Sequence, residues 1–346
     1  MVSIEQLIQK KAFELGYEKC GFIPLHKLDG YSQKLEERIG KVKGSEMFYK
    51  AQRRLADPLK DYPWAKSVAV LTVPYSKYKV PEALETHIGK SYLFDIRVNE
   101  DTDEYKNRQA LESYMKELGL QVATNQKFGV VGLRWAALQA GLGIVRRNNF
   151  FYTETGSYVH LEAWIIDSEL ELIEKVNLRG CPEGCDRCIK ACPTASLSEA
   201  YTMNPLKCIS FLTTFGGRNL PKEPLAGKFG NCIYGCDICQ DVCPMNHNKW
   251  IGEEAFPGLK ELAAFLTPEE ILKMTEEFYV KNIQPKFFYL SPQEIWKWKV
   301  NALNYMDNKF TERYKPLIIE ACGSDDIKVR EMAETICKRR QWKLEI

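Results

Sequence analysis

Two cysteine runs carry the chemistry of this chain: Cys181-Pro-Glu-Gly-Cys185-Asp-Arg-Cys188-Ile-Lys-Ala-Cys192-Pro193 and Cys232-Ile-Tyr-Gly-Cys236-Asp-Ile-Cys239-Gln-Asp-Val-Cys243-Pro244. Both follow C-x3-C-x2-C-x3-C-P, one residue longer in the first gap than the bacterial C-x2-C-x2-C-x3-C-P run that ligates iron–sulfur clusters. Such tight spacing lets one loop wrap three thiolates around a cube of iron and sulfide. The fourth cysteine, turned away by the proline behind it, reaches the other cluster. The pattern predicts two 4Fe–4S clusters and electron transfer. Zinc asks only for two separated C-x2-C pairs, and needs neither a third cysteine nor the C-P ending. Disulfides require an oxidising compartment, for which the sequence gives no sign.

Composition limits the rest. The chain has 346 residues, enough for two or three domains with their own cores. A formal net charge of +2 sets up no global field that would attract nucleic acid or a membrane surface. No stretch approaches the ~20 apolar residues that span a bilayer, and the first residues lack a signal-peptide core. The expectation is a cytoplasmic protein with no membrane partner. Nine of the twelve cysteines lie between positions 181 and 243, which marks a separate module; Cys20, Cys322 and Cys337 sit in apolar contexts and are expected to be buried, inert thiols.

The elements around the cysteines follow from periodicity. Ser3-Ile-Glu-Gln6 is a capping box ahead of a helix with Ile4, Leu7, Ile8 and Leu15 on one face. Residues 18–24 form a strand, 31–60 are polar and partly helical, and Ser67–Val73 is a strand covered on both faces. After a long loop come a helix from about 104 closed by Gly119, a short strand at 121–124, and a helix over 132–140 closed by Gly141. Tyr158–Ile166 alternates as a strand. This mixture predicts an α/β domain over 1–175, the cysteine module over 176–250 and a helical region over 251–346. In that last region Thr267-Pro and Ser291-Pro start helices, and others run near 293–306, 311–322 and 326–339. The last two form a HEAT-like hairpin that must dock on the rest of the protein, because a lone hairpin cannot bury both faces.

With these parts in place, the chain resembles epoxyqueuosine reductase and its relatives, the reductive dehalogenases, over nearly its whole length. The resemblance rests on Ala56-Asp57-Pro58, Ala140-Gly-Leu-Gly143 with Arg147-Asn148, Thr155-Gly-Ser157, Ala191-Cys-Pro-Thr-Ala195, Cys208-Ile-Ser-Phe-Leu-Thr-Thr214, Gly235–Pro244 and Asn301-Ala-Leu-Asn304. It implies an iron–sulfur, cobalamin-dependent oxidoreductase with a nitroreductase-like, corrinoid-binding α/β domain, a ferredoxin-type double-cluster module and a HEAT-like tail. Electrons would pass from the clusters to a base-off corrinoid lying between the first two parts. An external donor such as ferredoxin or flavodoxin is expected to supply them.

The crossing rule assigns Cys181, Cys185, Cys188 and Cys243 to one cluster, and Cys192, Cys236 and Cys239 to the other. Two residues compete for the last position: internal symmetry points to Cys232, and the family resemblance to Cys208. The same resemblance implies that the corrinoid cleft is lined by the Ala140–Asn149 turn, the Tyr152–His160 region and the Cys208–Thr214 segment. Gly141, Gly143, Arg146, Arg147, Asn148, Ser157, Ser210 and Thr213 are the expected cofactor contacts. Glycine at 141 and 143 would admit close approach of a planar ligand.

The sequence departs from the family at the reacting end. Where the family carries an aspartate thought to donate a proton, this chain has Ala123-Thr-Asn-Gln-Lys-Phe-Gly129, without a carboxylate. Lys127, Tyr92 and Tyr152 are the expected substitutes, with Arg146 or Arg147 behind Tyr152. The substrate is therefore expected to be a small molecule other than epoxyqueuosine. The alternatives are a true epoxyqueuosine reductase acting on tRNA, a non-catalytic electron carrier, and a reductase for a partner corrinoid protein. The basic tail Lys338–Lys343 is a candidate tRNA contact, or simply a solvated helix end.

Overall fold

The computed structural model describes residues 2–214 and 220–342. Six strands precede the cysteine module: β1 (Lys19–Pro24), β2 (Ser67–Pro74), β3 (Val122–Ala123), β4 (Ile144–Val145), β5 (Phe151–Tyr152) and β6 (Val159–Ile166). Four of them form one sheet in the order β1-β2-β6-β3, and β4 pairs with β5 in a separate ribbon. Every pairing in the main sheet is antiparallel, with Cys20 opposite Leu71 and Val70 opposite Ala163. Helices and strands thus mix as expected, without the parallel crossovers of a doubly wound sheet.

Strand β2 is buried on both faces, as its β-branched run predicts. Its side chains divide with period two. Ala69, Leu71 and Val73 face α1 (Ile4–Glu14) and α3 (Asp103–Glu117), where they meet Ile8, Ala12, Leu111 and Met115. Val68 and Val70 face the other way, toward α4 (Leu133–Gln139) and its neighbours Val131, Ala136 and Ala140. Helix α2 (Tyr31–Lys41) meets α4 through Tyr31 and Trp135, and residues of both line a groove. The capping box at Ser3 and Gln6 forms, and starts α1 where expected.

The helical region does not stand apart. Phe256, Leu259, Ile271, Tyr279, Phe287 and Trp298 belong to the same core as the first face of the sheet. Helices α5 (Ile295–Asn308), α6 (Tyr314–Ala321) and α7 (Ile327–Arg339) build a second core with Ile209, Leu212, Phe229 and Cys232 of the cysteine module. The hairpin α6–α7 therefore docks as required. Thr267 caps its helix, but the helix expected from Ser291 begins only at Ile295, because the Ser291 backbone N–H donates to Glu294 in a preceding turn. No helix among the described residues is long and apolar enough to cross a membrane.

One charge pair is sealed inside the sheet domain. Arg108 of α3 donates to Glu162 of β6, both nearly inaccessible to water, and the Tyr17 hydroxyl donates to the same carboxylate at 3.0 Å. Removing one partner strands the other charge in a low dielectric. Arg108→Met should lower the unfolding free energy by about 3–5 kcal/mol, measured by urea denaturation followed by circular dichroism.

Candidate active site

The cysteine module brings its two runs together through two short helices, Arg187–Ala191 and Ile238–Asp241, which pack against each other. Each cysteine before a proline thereby points across to the other run. Cys188 lies in the field of Cys243 and Cys181; burial first, and then those two thiolates, push its thiol pKa up. On the other side Cys239 is flanked by Cys236, Cys208 and Cys192, and burial followed by these neighbours drives its pKa far above the usual thiol range. Burial also raises the pKa of Cys208, with Cys236 and Cys192 as its thiol neighbours. Cys232 is buried in the second hydrophobic core and touches Cys236. Among the described residues no three Cys, His, Asp or Glu side chains converge as they would on a single ion. A cubane instead holds its thiolates apart by its own width, which suits this looser gathering.

Two more observations fit a charged, metal-containing centre. The Arg146 guanidinium is buried between the Arg179 carbonyl, to which Nη2 donates at 3.0 Å, and the Tyr152 ring. Its Nε and Nη1 have no hydrogen-bond partner, so donor capacity is left over next to the Tyr152 ring, whose hydroxyl neighbours Cys243. Asn148 spans the two halves of the site, donating from Nδ2 to the Tyr152 hydroxyl and to the Cys239 carbonyl.

Next to the module, on the second face of the sheet, opens a groove of about 1100 Å³. That is above the usual range for drug-sized ligands, so it admits a larger group. Its walls come from α2, from α4 and the loop before it, from β4 and β5, and from the start of β6. Val131, Leu133, Leu138, Val145, Phe151 and Leu161 supply apolar surface. Tyr92 joins the groove to the cysteines, because its hydroxyl hydrogen-bonds to Ser210 at 2.9 Å, two residues after Cys208.

The residues nominated from sequence separate into two groups. Lys127, Tyr92 and Ser157 line the groove. The Lys127 ammonium lies on its rim, 5.1 Å from the centre of the Phe288 ring. Tyr152 does not belong there. It is buried, held by Asn148 and placed beside Cys243, and burial raises its phenol pKa well above the ordinary value. Arg147 donates to the Cys185 carbonyl at 2.8 Å, Ser210 bonds Tyr92, and Thr213 accepts from the Gly235 backbone N–H at 3.0 Å. These residues brace the module, so the expected lining by Cys208–Thr214 is replaced by Tyr92 standing in front of that segment.

The two glycines also serve the protein backbone. A Cβ on Gly141 would lie 2.0 Å from the Glu174 carbonyl oxygen, and one on Gly143 would lie 2.2 Å from that of Tyr152. Both absences of a side chain permit chain-on-chain packing. Other groove residues escaped sequence reading. Arg38, Arg97, the neighbours Arg134 and Trp135 of α4, His160 and Tyr289 are scattered along the chain and share no local motif. Arg97 donates from Nε to Asp95 at 2.8 Å and from Nη2 to the Tyr289 hydroxyl at 3.1 Å. Burial works against the charge on Asp95, yet Arg97 outweighs it and keeps the carboxyl below its usual range. His160 is held by the Phe94 carbonyl at 3.0 Å, and burial lowers its pKa. The tail cations Arg339 and Arg340 pair with Asp307 and so fold back onto α5, while Lys343 lies outside the described residues.

The chain matches the 4Fe-4S double cluster binding domain over residues 181–246. Epoxyqueuosine reductase of Cyclobacterium marinum is 29% identical over 305 residues, covering 85% of this chain and 93% of that protein. That of Leadbetterella byssophila is 32% identical over 251 residues, covering 69% and 78%. Among solved structures, epoxyqueuosine reductase bound to an epoxyqueuosine-modified tRNA-Tyr stem loop superposes with a TM-score of 0.75 at 22% identity, over 97% of this chain and 90% of that one. The Streptococcus thermophilus enzyme gives 0.75 at 21%, over 98% and 99%. Gly143→Ala should cost about 1–3 kcal/mol through the clash with Tyr152. Thermal unfolding should show the same loss with and without added cobalamin, whereas a glycine that contacts the ligand would show a larger loss in its presence.

Proposed function

Because the chain belongs to the epoxyqueuosine reductase family, we propose that its groove is the reaction chamber of an iron–sulfur oxidoreductase. Its cofactors are two 4Fe–4S clusters and cobalamin. The observation that carries the reading is the shared wall: Tyr92 lines the groove and hydrogen-bonds to Ser210 in the segment that follows Cys208. The parts 1–175, 176–250 and 251–346 serve as corrinoid-binding, cluster and buttressing regions. They are functional divisions, since one core runs from the sheet into the helices.

Cys181, Cys185, Cys188 and Cys243 hold one cluster in this reading, and Cys192, Cys208, Cys236 and Cys239 the other. Cys208 is favoured over Cys232 because it neighbours thiols of both runs, Cys236 and Cys192, while Cys232 touches Cys236 of its own run and packs into the apolar core. Cys208→Ser should then lose roughly half of the iron, and Cys232→Ser should keep it, by iron and sulfide analysis of anaerobically purified protein.

When bound in the groove, cobalamin supplies a metal centre that takes up electrons singly at low potential and passes them to the substrate. The chain's own residues shape the site. Apolar walls exclude water, and Lys127 Nζ is the proton source at the rim, in the loop that lacks a carboxylate. Tyr92 is the weaker donor, because burial holds its phenol far above its ordinary pKa and its hydroxyl is engaged by Ser210. Lys127→Met should reduce turnover by about 10²–10⁴-fold while leaving iron and cobalt content unchanged.

The substrate that this rim suits is a nucleobase carried by RNA. Phe288 stacks on Tyr289 with centroids 4.6 Å apart, exposed Phe128 meets Phe288 edge-on, and Arg97 and Lys127 lie over the Phe288 ring. Aromatic faces interleaved with cations hold unstacked bases. A small organic substrate is the second reading, favoured by the carboxylate-free loop at 123–129. Anaerobic purification with cobalamin should give about eight irons and one cobalt per chain; eight irons without cobalt would leave an electron carrier. Binding of a modified tRNA stem loop, lost on Phe288→Ala, selects RNA over the small molecule.

A further inference from the structure

The groove is unevenly charged. Of its cationic side chains, Arg97 is neutralised by Asp95, Lys34 pairs with Glu37 at 2.8 Å, and Lys41 lies 3.7 Å from Glu199. Arg38 of α2 and Arg134 of α4 form no ion pair among the described residues, yet both reach the same turn of the chain. Both are anchored to one residue. Arg38 Nη2 donates to the Asn149 side-chain oxygen at 3.0 Å, and Arg134 Nη1 donates to the Asn149 carbonyl.

Asn149 is itself unusual. It is 3% exposed, has φ of +65°, lines the groove, and its amide Nδ2 has no hydrogen-bond partner. Trp135, also on this wall, leaves its indole N–H without a partner. Arg134 is exposed and Arg38 half-buried, so water can reach both guanidiniums, but the buried Asn149 amide with an unused donor is costly unless an acceptor completes it. The donors are of the kind that suits phosphate, which takes several N–H groups around one centre.

We propose that Arg38, Arg134 and the Asn149 side-chain amide form an anion subsite in the groove that holds a phosphodiester. The inference rests on the groove's role as the reaction chamber. The phosphodiester has two sources there: the nucleotide tail of cobalamin, or the backbone of an RNA substrate. The subsite sits where α2, α4 and the Asn149 turn meet on the groove wall.

The test is equilibrium binding to the cluster-loaded protein. Cobalamin, cobinamide (which lacks the nucleotide tail) and a tRNA stem loop are each titrated against wild type, Arg38→Gln, Arg134→Gln and Arg134→Lys. Neither arginine belongs to a hydrophobic core, so the variants should fold, and iron content serves as the check. If the tail is the ligand, Arg134→Gln weakens cobalamin about ten- to a hundredfold and leaves cobinamide unchanged. If RNA is the ligand, both corrinoids are unaffected. The stem loop then weakens similarly, and its salt dependence falls by about one phosphate contact. Arg134→Lys should restore part of either loss. Wild-type affinities for corrinoid and RNA that no variant alters would overturn the subsite alone. A wild-type protein that binds neither would overturn the reaction-chamber reading together with it.

Discussion

Thiols from both cysteine runs meet at a partly buried junction, and the rest of the molecule is arranged around that constraint. Cys239 and Cys208 each feel burial and two or more neighbouring thiolates, all of which oppose ionisation. Thiolates crowded there would repel one another, and a strongly positive bound cluster would stabilise their ionised form. The surrounding protein contributes fixed donors: the unsatisfied N–H groups of Arg146 and the Asn148 amide that ties Tyr152 to the Cys239 carbonyl. It also contributes a dry support, because Ile209, Leu212 and Phe229 are pressed under the helices of the C-terminal region.

That support explains why the helical region is joined to both other parts. Trp298 stacks on Tyr234 at 4.7 Å with nearly parallel rings, linking α5 to the residues just before Cys236. Phe287 packs against the same pair, and Phe256 reaches Tyr78 and Phe94 behind the sheet. A cluster site tolerates little movement if electrons are to cross it, and this aromatic joint fixes the distance between the cysteines and the groove. The groove in turn borrows a rigid wall from β6, whose partner β2 is buried on both faces.

The groove's electrostatics follow from an imbalance in its lining. Glu37 is its one carboxylate among the described lining residues, and it is already paired with Lys34. The loop from Thr124 to Gly132 is clamped from outside, with Arg54 donating to the Phe128 carbonyl and Arg97 to that of Lys127. Its side chains Gln126, Lys127 and Phe128 are thereby presented to the opening. The loop carries no carboxylate, and it presents a cation above an aromatic platform. Such a site favours anionic, π-rich occupants over neutral aliphatic ones.

The cysteine spacing alone determined the two clusters, because a cubane accepts only a narrow set of loop lengths between its ligands. Local periodicity likewise determined the capped first helix, the doubly buried strand at 67–74 and the docked terminal hairpin, since each depends on neighbours a few residues away. The meaning of Gly141 and Gly143 was not legible. A missing Cβ admits a ligand or another stretch of backbone equally well, and only the positions of Glu174 and Tyr152 decide between them. Tyr152 was misplaced for the same kind of reason: one residue's step along a short strand moves a side chain from groove to interior. Arg38, Arg134 and Asn149 lie more than a hundred residues apart at their extremes, so tertiary structure alone brought them to one wall. Charge acts through space, and no sequence spacing records which cations reach the same turn of the chain without a counter-ion.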